Sequence, residues 1–186
     1  MPFKASKIDN FLGLIIIEPK VFSDERGFFM EAYNFCDFKQ FGIKDNFVQD
    51  NHSRSSKGIL RGLHFQHSPR AQSKLVRCIR GEIFDVAVDI RRSSVSYGKW
   101  FSIILSEENK KMLYIPEGFA HGFCSLQDGT EIIYKCSSVY STECERGIIW
   151  NDKDINIKWP IDNPILSAKD QNWPLLKEAD NNFIYE

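Results

Sequence analysis

Two histidines sit in the segments of this chain best suited to proton chemistry. His64 lies in Leu60–Gln66 (LRGLHFQ), beside Arg61 and Gly62 and among strand-forming apolar residues. His121 lies in Ile115–Phe123 (IPEGFAHGF), which has the same strand-and-glycine character. Imidazole is the side chain best matched to moving a proton near neutral pH. Tyr134, in the segment EIIYKC, adds a phenol. Its pKa near 10 keeps it protonated yet able to give a proton to a carbanion. The plainer roles are a buried histidine bonded to a backbone carbonyl and a core tyrosine. Arg61 is costly to bury without an anionic partner. Arg61, Lys74 and Arg77 can supply anion contacts or sit as solvated surface charges. Strict alternation puts Arg61 and His64 on opposite faces of a strand. Both reach one site only if the strand bulges or twists, which Gly62 permits.

A metal is the first chemistry to test against these residues. Metal-binding cupin barrels, which the pattern resembles, use His-x-His, a nearby Glu and a later His converging on one cation. Here the residue two after His64 is Gln66, and His67 points to the other face in regular strand geometry. No acid follows until Glu82. Pro116, Gly118 and His121 do match the cupin Pro-x-Gly-x-x-His. The pattern is that of a cupin lacking most metal ligands, so no bound metal is expected. His64 is then free to act as a general base.

The elements that would position these groups are mostly strands. Leu12–Ile17 is a continuous apolar, β-branched run. Lys74–Ile79 and Ile83–Ile90 flank Arg80-Gly81-Glu82, a hairpin-like connection. In the second of these, Phe84, Val86, Val88 and Ile90 share one face, and Ile83, Asp85, Ala87 and Asp89 the other. Two acids on an otherwise apolar face are costly unless paired or wet. Further strands are expected at Lys99–Leu105, Leu113–Ile115, Phe119–Leu126, Glu131–Val139 and Ile155–Trp159. Asn34–Phe41 reads as a short helix stopped by Gly42. Ser106-Glu107-Glu108-Asn109 reads as a capped turn. Ser167-Ala168-Lys169-Asp170 reads as a capping box, with Pro174 ending its turn.

Short strands with Gly-rich turns argue a β-sandwich or barrel. The 186 residues suit one domain, 1–186, with a real core. A net charge of -1 offers nothing to a general polyanion binder, so no nucleic-acid partner is expected. Five scattered cysteines without a CxxC pair fit reduced thiols in a cytosolic protein. No signal-peptide core is visible, and the early apolar run is too short to span a bilayer. The reading is therefore cytoplasmic, with no membrane partner.

Nine segments, in order along almost the whole chain, carry a resemblance. They are Glu18–Glu31, Phe47–Ser53, Leu60–Gln66, Lys74–Cys78, Gly81–Arg91, Ile115–Phe123, the Tyr134 strand, Trp150–Asp152 and Ser167–Asp170. Together they resemble the dTDP-4-dehydrorhamnose 3,5-epimerase family. The resemblance implies a mainly β, cupin-type jelly-roll barrel or sandwich with a few short helices. It implies no metal or cofactor, and a homodimer with shared active sites. The implied substrate is dTDP-4-dehydro-6-deoxy-D-glucose, converted to dTDP-4-dehydro-L-rhamnose in dTDP-L-rhamnose biosynthesis.

By that resemblance His64 is the base, paired with Asp170, and Tyr134 is the acid on the opposite sugar face. Lys74 stabilises the oxyanion that develops at C4. Arg61 and His121 contact substrate, and Asp85 orients His121. Arg26, Glu31, Gln49, Asp50, Asn51, Glu145 and Lys169 match nucleotide-sugar-binding positions. Phe22 and Tyr140 match aromatics near thymine or its sugar. Some of the N-terminal residues are lent by the partner subunit. Asp170 has a rival role in the Ser167 capping box, and both roles hold only if they use separate oxygens. The alternatives are a C3- or C5-only epimerase, an epimerase of another nucleotide-linked 4-ketosugar, and a cupin that binds a sugar nucleotide without turning it over.

Overall fold

A computed structural model describes residues 2–185. In chain order the strands are β1 (Phe3–Lys7), β2 (Ile15–Pro19), β3 (Phe22–Asp24), β4 (Gly27–Phe29), β5 (Gln49–Ser55), β6 (Leu60–Gln66), β7 (Lys74–Arg80), β8 (Glu82–Asp89), β9 (Trp100–Ser106), β10 (Met112–Ile115), β11 (Phe119–Ser125), β12 (Thr130–Cys136) and β13 (Glu145–Gly147). One helix, α1 (Phe35–Gln40), falls between β4 and β5. One sheet has the order β1-β2-β10-β7-β12-β5 and the other β13-β6-β11-β8-β9. The pairings within both sheets are antiparallel, as in a jelly-roll sandwich. The hairpin β3-β4 pairs only with itself.

Alternation along the strands decides what meets between the sheets. Val76, Cys78, Ile83, Ala87, Leu105, Leu113, Phe119 and Ile132 form the apolar filling there. The opposite face of β8, with Val86 and Val88, packs against Ile148, Ile155 and Leu176 from the C-terminal region. So β8 is buried on both faces, and the apolar residues alternating along each of them meet a separate cluster. The two acids on its inner face are both fully buried and both paired. Asp85 meets His121, and Asp89 accepts from Arg91, Ser94 and Ser96.

The helix forms where its caps dictate. The Asn34 side chain accepts from the backbone N–H groups of Cys36 and Asp37, and Gly42 follows the last turn at φ +94°. Phe38 is its buried anchor, edge-on to Phe3 and Tyr33. The turn at Ser106 closes reciprocally, with bonds in both directions between Ser106 and Asn109.

Some expectations are corrected: the strands on either side of Gly81 do not form a hairpin, since β7 and β8 pair in different sheets. Ile155–Trp159 is not a strand. The Asp152 carboxylate accepts from the N–H groups of Asp154, Ile155 and Leu176, which folds this segment into turns. Asn156 sits at φ +54°, outside strand geometry. Of the run Leu12–Ile17, only the part from Ile15 onward joins a sheet, and the strand carrying Tyr134 stops at Cys136 rather than Val139. Strands β1, β3, β4, β5 and β13 are additions to the expected set. No helix of the described residues is long and apolar enough to cross a membrane.

Candidate active site

The strand-parity problem at Arg61 is solved by a bulge. His64 pairs with His121 and Arg61 with Phe123, so Gly62 and Leu63 together face only Gly122. The extra residue turns Arg61 and His64 to the same side. Gly62 is required there. Its φ is +135°, and a Cβ would lie 2.5 Å from the Gly122 Cα and 2.9 Å from the His121 carbonyl oxygen. Leu63 and Phe65 take the outer face and pack into the core around β8.

His64 has a carboxylate partner from far along the chain. Its Nε2 lies 2.5 Å from Asp170 Oδ1. Asp170 sits on a turn outside both sheets, pinned upstream by the parallel bridge between Ile59 and Ile165. Only half of the capping box forms: the Asp170 N–H donates to Ser167 Oγ at 3.1 Å. The carboxylate serves the imidazole instead of the Ser167 backbone. Trp173 Nε1 donates to the same oxygen at 3.3 Å, and its ring meets His64 nearly edge-on. Burial pushes the Asp170 carboxyl up, but the bonds from His64, Ser167 and Trp173 outweigh it and hold it below its ordinary value. The His64 ring keeps Nδ1 without a partner among the described residues.

The opposite sheet brings the other groups. Lys74 and Tyr134 project inward from β7 and β12 into the cavity that His64 lines. Lys74 is buried, which lowers its pKa, while Cys136, Asp85 and Glu145 pull it back up. No group of the described residues bonds its ammonium. Burial raises the Tyr134 phenol, helped by Cys136 and Glu145 and opposed by Arg61. The phenol is therefore fully protonated near neutral pH. Arg61 is held by Ser55 Oγ and the Arg54 carbonyl.

The cavity has a volume of about 400 Å³ and an apolar wall of Ile59, Leu60, Phe123, Ile165 and Leu166. A second lobe of about 270 Å³ shares His64, Lys74 and Tyr134 and is lined by Gln49, Asn51, Gln66, Gln72, Tyr140 and Glu145. Here the groups hold one another. Glu145 accepts from Lys169 Nζ and from Tyr140 Oη, and the Tyr140 N–H donates to Gln49 Oε1. Arg146 turns away to Asp180, so it is not part of this lobe.

Four of the expected residues lie elsewhere in the single chain. Asp50 points to the outer face and pairs with Lys135 at 2.9 Å. Phe22 and Arg26 sit on the β3-β4 hairpin, where Arg26 pairs with Asp24. Glu31 accepts from Asn34 at the start of α1. Conversely, sequence reasoning gave Ser53 no role. Its Oγ is buried without a hydrogen-bond partner among the described residues, and the residue lines the cavity. Alternation from Gln49 through Asn51 was the signal that would have placed it. Trp173 was also missed. Among the described residues no group of three His, Cys, Asp or Glu side chains is placed to hold a metal ion.

A family model described as dTDP-4-dehydrorhamnose 3,5-epimerase matches residues 9–178. The chain belongs to this family. A dTDP-4-dehydrorhamnose 3,5-epimerase of Shigella flexneri is 60% identical over 168 residues, covering 90% of this chain and 93% of that one. The crystal structure of the 3,5-epimerase from Legionella pneumophila, in complex with dTDP-4-keto-L-rhamnose, matches with a TM-score of 0.88 at 47% identity, over 95% of this chain and 93% of that one. The enzyme from Bacillus anthracis, with TDP and PPi bound, gives a TM-score of 0.90 at 44% identity over 93% and 99%. Among such epimerases, this chain's histidine, tyrosine and lysine stand in a sandwich whose β content and topology place it with the cupin-like folds.

Proposed function

We propose that His64 is the base and Tyr134 the acid of a 3,5-epimerase acting on dTDP-4-dehydro-6-deoxy-D-glucose. The carrying observation is that the two side chains project from facing sheets into one cavity. Packed sheets stand about 10 Å apart, which leaves room for one sugar ring between them. The C4 ketone acidifies the hydrogens at C3 and C5. His64 Nδ1 removes one of them, and an enolate forms. Asp170 holds the ring tautomer and stabilises the imidazolium. Lys74 supplies positive charge where the enolate oxygen develops, so the step needs no metal or cofactor. Tyr134 returns a proton from the other face and the centre inverts. Repetition at the second carbon completes the conversion to dTDP-4-dehydro-L-rhamnose.

The polar lobe of Gln49, Asn51, Tyr140, Glu145 and Lys169 suits the nucleotide, and Arg61 and His121 suit the sugar. Phe22, Arg26 and Glu31 complete the cavity of a second copy in a homodimer. In support, β3-β4 joins neither sheet, and Phe22, Phe28 and Phe29 are each at least half exposed. Mixing His64→Ala chains with Arg26→Ala chains then restores one working site per mixed dimer. No recovery on mixing counts against the shared site.

The reaction is tested in D₂O. dTDP-4-keto-6-deoxy-D-glucose should take up deuterium at C3 and C5, and His64→Ala should abolish both. Exchange at one carbon alone identifies a mono-epimerase. Exchange at neither sinks the proposal, and a wild-type rate in His64→Ala removes His64 as the base.

A further inference from the structure

One turn carries a group for each lobe of the site. Lys169 and Asp170 are neighbours on a turn that belongs to neither sheet. Asp170 bonds the base, His64. The Lys169 ammonium bonds Glu145, the first residue of β13. Lys169 lines the first cavity and Glu145 the second lobe, so this ion pair stands at the seam between them. Glu145 lifts Lys169 above its ordinary pKa, and the side chain is a permanent cation near neutral pH. Phosphates that join a sugar in one lobe to a nucleoside in the other must cross that seam.

Trp173 braces the two neighbours together. The Lys169 ammonium lies 5.6 Å from the centre of its ring, within reach of a cation–π contact. The indole Nε1 donates to Asp170 Oδ1, the same oxygen that His64 uses. The ring rests against Gly147, which pairs with His64 across β13 and β6. Neither Lys169 nor Asp170 is held by a sheet ladder, so side chains fix their aim. A ring that only filled the gap beside β13 would need no N–H directed at the carboxylate of the base.

We infer that Trp173 is a positioning residue that couples an anion held at Lys169 to the aim of the Asp170–His64 pair. That the anion is the diphosphate of a sugar nucleotide rests on the epimerase reading above. A diphosphate at the seam draws in the ammonium and fixes the Lys169 side chain. The indole, held between Lys169 and Asp170, then has one seat, and the carboxylate that orients the imidazole has one direction. Binding energy gained far from C3 and C5 goes into aligning the base. The nucleotide is thus an activator of His64 as well as an anchor for the sugar.

The test divides the substrate into two pieces. The 1-deoxy form of 4-keto-6-deoxy-D-glucose keeps the ketone and the acidic hydrogens at C3 and C5, and it leaves room at C1 for a terminal phosphate. Its deuterium uptake in D₂O is measured with and without saturating dTDP, whose binding is followed by calorimetry. In the wild-type protein dTDP should raise the exchange rate by about tenfold to a hundredfold. In Trp173→Phe, which keeps a ring and loses the N–H, dTDP should still bind and the activation should vanish. Activation is a ratio, so a uniform structural loss cancels from it. No activation in the wild type, with the intact sugar nucleotide exchanging, overturns the inference. So does wild-type activation in Trp173→Phe. Loss of dTDP binding in that variant makes the residue an anchor alone and also overturns it. Lys169→Met, at a half-exposed side chain, decides the matter if Trp173→Phe does not fold. At a dTDP concentration that saturates it, activation should again be absent, and retained activation overturns the inference. Failure of the intact sugar nucleotide to exchange strikes the epimerase reading instead.

Discussion

Adding one methyl group at Gly147 should slow the reaction without touching any reacting group. Gly147 on β13 pairs with His64 on β6. The Trp173 indole lies flat on it, so a Cβ there would come within 2.4 Å of Trp173 Cδ2 and Cε2. Carbon atoms rest about 3.5–4.0 Å apart, so the indole must retreat by roughly 1 Å. Trp173 donates to the same Asp170 oxygen that holds His64. The displacement therefore reaches the base through two bonds. A misplacement of about 1 Å near a reacting group costs roughly 10²-fold in rate. Overpacking itself costs about 1–3 kcal/mol, which a sandwich of this size tolerates. Gly147→Ala should thus fold, with kcat for deuterium uptake at C3 and C5 lowered by about 10- to 100-fold. The assay is exchange in D₂O at saturating substrate, with urea unfolding as the control. A variant with the wild-type kcat and an unmoved Trp173 ring in its crystal structure would refute the reasoning.

Lys74→Met keeps the length and removes the charge. It should lower kcat by about 10²- to 10³-fold with a smaller change in KM, read by the same exchange assay. Gly62→Ala meets Gly122 and the His121 carbonyl at a positive φ. It should destabilise the fold by several kcal/mol, roughly the sum of strain and overpacking, measured by urea unfolding. Asp89 gives a pH dependence. Burial pushes its carboxyl up, but Arg91, Ser96 and Ser94 outweigh that and hold it below its unfolded value. Its contribution is therefore complete above the unfolded pKa of about 4 and is lost as the pH falls through the lower folded value. Asp89→Asn should cost about 3–5 kcal/mol at pH 7 and much less in strong acid, seen as a shallower acid limb of stability against pH.

Where alternation reports on a packed core, the fold could be read from the chain. Both faces of β8 were legible because each meets an apolar cluster. The helix was legible from Asn34 and Gly42. Strand β5 was not, because QDNHSRS contains no apolar residue. Its inner face, with Gln49, Asn51 and Ser53, lines the cavity rather than the core, so the usual signal was removed by function. Ile155–Trp159 failed the other way: its alternating apolar residues pack on the core from turns set by Asp152. The parity conflict at Arg61 was visible, and so was the glycine able to resolve it. The Asp170 partner of His64 was invisible to spacing, being 106 residues away, and came only through family resemblance.

The turn that carries Asp170 belongs to neither sheet. Its ties include the Ile59–Ile165 bridge, the His64 and Ser167 bonds to Asp170, the Lys169–Glu145 contact and the Trp173 ring seated on Gly147. Such a segment opens at a lower free energy than strands paired on both sides. The functional lifetime of the molecule is then shorter than its structural lifetime. In mild denaturant, activity should vanish while the sheet signal in circular dichroism stays whole, and it should return at once on dilution because the barrel never unfolds.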